Sequence, residues 1–378
     1  MRFLHTGDIH LDSAFCSSDA VAAEKKREGQ RRTLGKIFDL ARKKGCEMVL
    51  ISGDLFDGRY VSPDTEKYVR RVLESAGVPV IIAPGNHDPY TQGSFYSKTD
   101  LPENVYVFSA SQLQRFDFPE LRTSVYGYAF TSPSLTYSPL AGESGAEDAQ
   151  PIRLLCAHAD LDSPVSRYCP LTVGDIKGLG INYAALGHIH NREKDDSDGD
   201  TAIRYCGFPQ GRSFDETGEG GVLIADVSED GGVSVERIAV SEQIYESIEI
   251  DMSGLSDRGE MSARIRERVA ACVADKSVFL RVSLVGTADR DEMPELGALK
   301  EELISERLLS VDIRDMTVPL ADIESLRADR TLRGEFYRAL YSGLISEDPA
   351  VREKNAYALR IGLAAIEGRK IFEDGEGL

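Results

Sequence analysis

Five short apolar runs, at residues 3–6, 48–52, 78–83, 152–157 and 181–186, constrain this chain more than any other feature. Long polar–apolar segments with helical spacing, about 20–45 and 63–76, separate the first three. Such strand–helix alternation predicts a layered α/β domain. Each run ends on residues able to hold a cation. The first leads to Asp8 and His10, the second to Gly53-Asp54 and then Asp57, the third to Gly85-Asn86-His87-Asp88. The fourth delivers His158 and Asp160, and the fifth Gly187-His188-Ile189-His190. In an open α/β sheet the loops beyond the carboxyl ends of the strands gather at one edge. The five run-ends are therefore expected to converge.

The chain has 6 histidines, and all but His5 stand at these run-ends. His5 lies inside the first run and reads as a structural residue of a strand. Carboxylates, an amide oxygen and imidazoles, without thiolate, suit Mn²⁺, Fe²⁺ or Zn²⁺ in open coordination rather than a closed structural zinc. Asp8, His10, Asp54, Asn86, His158, His188 and His190 are too many donors for one ion. With one carboxylate shared they supply four ligands to each of two divalent cations. Two cations about 4 Å apart can activate a water and hold the attacking and leaving oxygens of a phosphoryl centre. Glycines before the ligands (Gly7, Gly53, Gly85 and Gly187) allow sharp turns and close backbone approach.

The remaining pattern divides the chain into three parts, 1–240, 241–320 and 321–378. From 105 to 130 the helical signal fades into β-type alternation, and 201–206, 221–227 and 233–240 add strands, so the later part of the first domain reads as more antiparallel. The second part reads as a small α/β module: a strand near 245–254, a helix over 257–276, a strand over 277–285, a helix over 294–308 and a strand over 309–315. The third part is helical. Leu332, Phe336, Tyr337, Leu340, Tyr341 and Leu344 recur at helical spacing, Pro349 interrupts, and Leu359, Leu363 and Ile366 make a second stripe. These stripes suit either helix–helix packing or docking of a partner. DDSDGD at 195–200 lacks the spacing and final glutamate of a calcium-binding EF-hand loop and reads as a solvated turn.

Composition narrows the class. The formal net charge of −19 argues against binding duplex nucleic acid by long-range attraction alone. The one clearly basic stretch, 24–47, reads either as a solvated helix face or as a contact for a nucleic-acid backbone. The 6 cysteines are scattered with no CxxC pair, which argues against a disulfide framework or a zinc ribbon. No apolar run approaches the roughly 20 residues that span a bilayer, and the start turns polar too soon for a signal peptide. The expected location is the cytoplasm.

DIH, GD, GNHD, a lone H and GHIH, in this order, resemble the calcineurin-like metallophosphoesterases. HTGDIHLDSAF at the start and IRYCGFPQGRSFDE at 203–216 resemble the bacterial SbcD nuclease family, in particular its YhaO-type branch. The resemblance implies a four-layer α/β/β/α sandwich over 1–240, with a small α/β capping domain and a C-terminal helical segment that could dock a partner. It implies one cation held by Asp8, His10, Asp54 and His190, and another by Asp54, Asn86, His158 and His188, with Mn²⁺ the first expectation. His87 would stabilise the developing charge or protonate the leaving 3′-oxygen, and Asp88 would orient it. Archaeal and eukaryotic relatives carry histidine where this chain has Asp57; the bacterial branch resembles this chain there. The implied activity is phosphodiester hydrolysis by in-line attack of a metal-bridging hydroxide, as a DNA exonuclease or endonuclease in DNA repair. The implied partners are DNA, an SMC-like ATPase of the SbcC or YhaN type, and a second copy of the chain, with no membrane. The alternative is a phosphoesterase acting on cyclic nucleotides or other small esters. A scaffold that has lost activity is disfavoured, because all seven ligands and His87 are intact.

Overall fold

Strand β1 (Arg2–Thr6) pairs in parallel with β2 (Met48–Ile51) and antiparallel with the strand Gly221–Val227. β3 (Val80–Ile82) and β4 (Val105–Val107) extend the parallel side, and Val233–Ala239 completes the six-stranded sheet. This is a computed structural model, and it describes all residues except 16–19, 191–193, 198, 200, 274–275, 290–291, 320–324 and 367–378. Cys16 and two residues of the DDSDGD stretch, 198 and 200, thus lie outside the described residues.

A second six-stranded sheet contains β5 (Gln114–Phe118), β6 (Thr123–Gly127) and β7 (Ile152–His158), followed by Tyr183–Gly187, Ala202–Tyr205 and Lys194–Asp195. Its centre is parallel, from β6 through β7 and Tyr183–Gly187 to Ala202–Tyr205. The expected antiparallel character is therefore found at the edge pairs of the second sheet and, in the first, where Gly221–Val227 pairs with β1 and with Val233–Ala239. Parallel strands need long crossovers. Here those after β6 and β7 are mostly loop, with one short helix, Val173–Gly178, so the helical signal that announces a parallel pair is faint.

Side-chain alternation builds the layers. Phe3, Met48, Leu50 and Ile81 of the first sheet meet Val125, Leu154, Cys156 and Tyr183 of the second in one buried core. The opposite face of the first sheet (Leu4, Val49, Ile51, Val80 and Ile82) packs on Leu34, Ile37 and Phe38 of α1 (Ala20–Lys43) and on Val69, Val72 and Leu73 of α2 (Pro63–Glu74). The outer face of the second sheet (Leu155, Ala157, Ala184 and Leu186) is covered by Ile176, Leu179 and loop residues Leu135 and Leu140. The result is the four-layer sandwich. Both faces of each central strand are buried, which is why the runs are continuously apolar. α2 starts where Ser62 accepts from the Thr65 backbone N–H (3.3 Å) and Pro63 takes the first turn.

The chain separates into two compact units, Met1–Ile244 and a second beginning at Tyr245. In the second, strands Gln243–Asp251, Ser277–Val285 and Leu308–Asp315 form one sheet, the last two parallel, with helices Arg258–Cys272 and Leu296–Leu303. Helices Leu332–Leu344 and Pro349–Ile366 share a core of Leu326, Tyr337, Leu359 and Leu363. Pro349 opens the second of these helices, as proline does in a first turn. Leu332 is 71% exposed and adds nothing to that core. Among the described residues no helix is long and apolar enough to cross a membrane. Cys46, Cys156, Cys169, Cys206 and Cys272 are free thiols.

The basic stretch lies on α1, and much of its charge is internally paired. Arg27 and Arg31 meet Glu24, Arg32 meets Glu28 and Glu242, Lys36 meets Glu242, Arg42 meets Asp39, and Lys44 meets Glu236. That pairing favours a solvated helix face over a nucleic-acid contact.

Candidate metal centre

The site begins with the backbone. Beyond β1 and β2 the two loops are laced together: Asp8 N–H donates to Gly53 O (3.0 Å), His10 N–H to Asp54 O (2.9 Å) and Leu11 N–H to Leu55 O (2.9 Å). This lacing holds Asp8, His10 and Asp54 at φ of 50°, 50° and 49°, a left-handed conformation costly to residues with a side chain. His188 stands at φ 101°. Two glycines are required by geometry. Gly53 has φ 98°, and a Cβ there would overlap the His158 ring; a Cβ on Gly85 would overlap Asp54 Oδ1.

The five run-ends do converge. Asp8, His10, Asp54 and His190 each offer a ligand atom within 4.8 Å of the others. His10 Nε2 is 3.1 Å from His190 Nε2 and 3.6 Å from Asp54 Oδ2, and His190 Nε2 is 3.6 Å from Asp8 Oδ1. On the other side of Asp54, His158 Nε2 lies 3.4 Å from the same Oδ2 and 2.9 Å from Asn86 Oδ1. The His188 ring stands edge-on to that of His158, with centroids 5.1 Å apart, and its other neighbour is Tyr168 at 4.7 Å. The His188 backbone N–H donates to both oxygens of Asp8 (3.1 Å each). An open cleft of about 380 Å³, lined by Asp54, His87, His188, Ile189 and His190, lies over this cluster.

The chemistry of the donor set fits divalent cations. Three imidazoles spend Nδ1 on an outer acceptor: His10 on Asp57 Oδ1 (3.0 Å), His158 on Ser52 O (3.0 Å) and His190 on Glu216 Oε1 (2.7 Å). A carboxylate or carbonyl can only accept, so these bonds assign the proton of His10 and His158 to Nδ1 and leave their Nε2 lone pairs facing the cluster, whereas His190 Nδ1 stands between Glu216 Oε1 and a guanidinium N–H of Arg212 (3.0 Å). The electrostatics agree. Burial pushes His158 and His188 down to about 4, which keeps their imidazoles neutral. Burial also lowers His190, but Asp8 and Glu216 outweigh it and hold that ring up at about 10. The carboxylates thus favour a positive charge here, whether a proton or a bound cation. Asp54 is raised by burial and then by Asp8, the cost of two carboxylates in one pocket.

His87 is placed differently from its neighbours. Its side chain is 44% exposed at the cleft, its ring is perpendicular to that of His10, and its Nδ1 is 3.1 Å from Asp57 Oδ1. The Asp57 bond raises its pKa, against burial. The expectation that Asp88 orients His87 is corrected. The Asp88 carboxylate turns inward and accepts from Gly85 N–H (2.8 Å), Phe56 N–H (3.1 Å) and Tyr96 Oη (2.5 Å). Burial, then Asp54, pushes it up to about 7. Asp88 therefore ties down the loop that carries Asn86 and His87, while Asp57 pairs with the His87 ring. Asp12 also serves the scaffold, accepting from Ser62 N–H (2.7 Å) and Thr65 Oγ1 (2.6 Å). Arg212 and Glu216 are site residues for which the sequence suggested no role.

His5 is buried against Tyr183 Oη (3.0 Å) and Ser52 Oγ (3.1 Å), and burial lowers its pKa from 6.5 to about 3. The folded chain holds this ring neutral, while the unfolded chain protonates it below 6.5. Its contribution to stability is therefore constant above that value and falls as pH drops toward 3, by about 1.4 kcal/mol per unit for one proton. Urea unfolding of chelator-treated protein, from about pH 7 down to about pH 5, checks this. His5→Gln is expected to be less stable at neutral pH but to show the shallower pH slope; equal slopes refute it.

Comparison with known proteins gives the same direction. The calcineurin-like phosphoesterase family matches residues 1–207 of the 378. Over 300 residues the chain is 27% identical to the uncharacterized metallophosphoesterase YhaO of Bacillus subtilis (strain 168), covering 76% of this chain and 72% of that protein. It is 24% identical over 258 residues to SbcD, a component of the nuclease SbcCD of Staphylococcus epidermidis, covering 60% of this chain and 66% of that protein. It is 27% identical over 299 residues to the DNA double-strand break repair protein Mre11 of Aeropyrum pernix, covering 74% and 71%.

Proposed function

The chain belongs to the calcineurin-like phosphoesterases, metal-dependent hydrolases of phosphate esters, and from that premise we propose that it hydrolyses the phosphodiester bonds of DNA with two Mn²⁺ ions. One ion is assigned to Asp8, His10, Asp54 and His190, the other to Asp54, Asn86, His158 and His188. The observation that carries this division is the position of Asp54 Oδ2, 3.6 Å from His10 Nε2 and 3.4 Å from His158 Nε2, so that one oxygen faces both groups. When bound, the cations supply Lewis acidity to a phosphate and lower the pKa of a water.

The chain's own residues do the rest. Asp57 and Ser52 fix the tautomers of His10 and His158, and Glu216 orients the ring of His190. His87 projects into the cleft, where it can donate a proton or a hydrogen bond to the leaving oxygen. DNA is favoured as substrate because the cleft is open rather than closed over the cluster, and a polymer can lie across it. The relatives named as part of a nuclease and as a DNA break repair protein support the same choice. A net charge of −19 and the internally paired α1 leave little attraction for DNA. We therefore assign the missing attraction to an SMC-like ATPase partner, and the relatives named as part of a nuclease and as a DNA break repair protein support a setting in DNA repair.

The test is one assay with Mn²⁺, comparing linear duplex DNA, single-stranded circles, a cyclic nucleotide and an aryl phosphodiester, with and without chelator. DNA cleavage abolished by chelator is the expected result. Efficient turnover of the small esters with DNA untouched, even when the ATPase partner is present, refutes DNA as the substrate.

A further inference from the structure

We propose that Arg212 is a positioning residue for phosphoester hydrolysis, holding in register the two carboxylates that orient His10, His87 and His190. The inference rests on the metal-centre reading above. Arg212 Nη2 donates to Glu216 Oε1 (2.8 Å), and its Nε reaches both oxygens of that carboxylate (3.2 and 3.3 Å). The Arg212 backbone N–H donates to Glu216 Oε2 (2.8 Å), closing the loop on itself. Nη1 extends the other way, to Asp57 Oδ1 at 3.4 Å.

The two carboxylates so joined come from separate loops, Arg212 itself standing 155 residues beyond Asp57, and each orients histidines of the cluster. Glu216 Oε1 takes His190 Nδ1; Asp57 Oδ1 takes both His10 Nδ1 and His87 Nδ1. A planar guanidinium can bind one carboxylate with a fork and still present a further N–H to a second. An ammonium is a single point of charge and cannot reproduce both contacts. The loop is anchored from behind by buried Gln210, which accepts from Thr33 Oγ1 (2.9 Å) and Glu242 N–H (2.9 Å) and donates to Gln243 O (2.8 Å). Arg212 is thus held at its base and spent at its tip. Its side chain, 21% exposed, is engaged with the two protein carboxylates and, through Nη2, lies 3.0 Å from His190 Nδ1, which distinguishes it from a group waiting for a substrate phosphate.

The experiment compares wild-type chain, Arg212→Ala and Arg212→Lys in two readouts: Mn²⁺ affinity by titration, and kcat and KM for an aryl phosphodiester at saturating Mn²⁺. Outer partners of metal-binding histidines typically account for about 10–100-fold in affinity or activity. Arg212→Ala is expected to lose that much in both Mn²⁺ affinity and kcat, with KM unchanged. Added guanidinium is expected to restore part of its kcat while leaving the wild type unaffected. Arg212→Lys is expected to fall short of wild type in both readouts. Wild-type values in Arg212→Ala overturn the proposal, as does a folded Arg212→Ala whose deficit guanidinium leaves untouched. Should Arg212→Ala fail to fold, Arg212→Lys decides: wild-type affinity and kcat there overturn it. A wild-type chain that binds no Mn²⁺ or cleaves no phosphodiester refutes the metal-centre reading itself, a separate and recognisable outcome.

Discussion

Replacing Asp54 by alanine is expected to remove binding of both cations at once and to lower phosphodiester turnover on the order of 10³-fold or more. The size follows from the worth of a catalytic cation, several kcal/mol of transition-state stabilisation, with each 1.36 kcal/mol or so a factor of ten in rate. Every other proposed ligand serves one group; Asp54 Oδ2 faces both His10 and His158. The same carboxylate is an electrostatic burden on the metal-free fold, being buried beside Asp8 and raised for that reason. Its removal therefore separates catalysis from stability. Metal-free Asp54→Ala is expected to melt no lower than the metal-free wild type. Mn²⁺ should raise the melting temperature of the wild type by linkage and leave that of the variant unchanged. Elemental analysis after dialysis measures the ions directly. One ion retained in the variant would show that Asp54 belongs to one group only.

The layers of the first unit were legible because burial on both faces makes a strand an unbroken apolar run, and five such runs were visible. The positions of Asp8, His10, Asp54, Asn86, His158, His188 and His190 followed from the same logic, since strand ends share an edge. The parallel centre of the second sheet was not legible. Its crossovers are largely loop, and the composition of a loop does not say in which direction the next strand runs.

The supporting residues of the site were the harder part, for a related reason. Asp88 follows His87 in sequence, and adjacency invites a pairing. A turn closed by Gly85 N–H and Tyr96 Oη points the two side chains apart. Asp57 reaches His87 only because the loops after β2 and β3 lie side by side, which a linear reading does not encode. Arg212 and Glu216 come from a segment that ends no apolar run. One signal could have found Glu216: each imidazole that offers Nε2 to a cation needs an acceptor for its Nδ1 proton. That requirement calls for outer acceptors, and Glu216 and Asp57 are two of them.

Substituting His87 by alanine is the second large effect, and it should divide cleanly from the first. His87 contributes its backbone N–H to Asp54 Oδ1 (3.0 Å), which alanine preserves, and its imidazole faces the cleft. Both cations should therefore remain bound while DNA cleavage falls about 10²–10⁴-fold, the usual worth of a positioned proton donor. Asp57 raises the pKa of this ring and so favours the protonated form that donation needs. The choice of substrate then tests the role. The 3′-oxygen of a nucleotide leaves as a poorly stabilised alkoxide unless a proton reaches it, whereas an activated aryl oxide leaves without help. His87→Ala is expected to lose far more on DNA than on the aryl diester. Equal losses on the two would instead assign His87 to stabilising charge on the phosphoryl oxygens, which both substrates share. Loss of a cation in elemental analysis would count against either role and place His87 among the ligands.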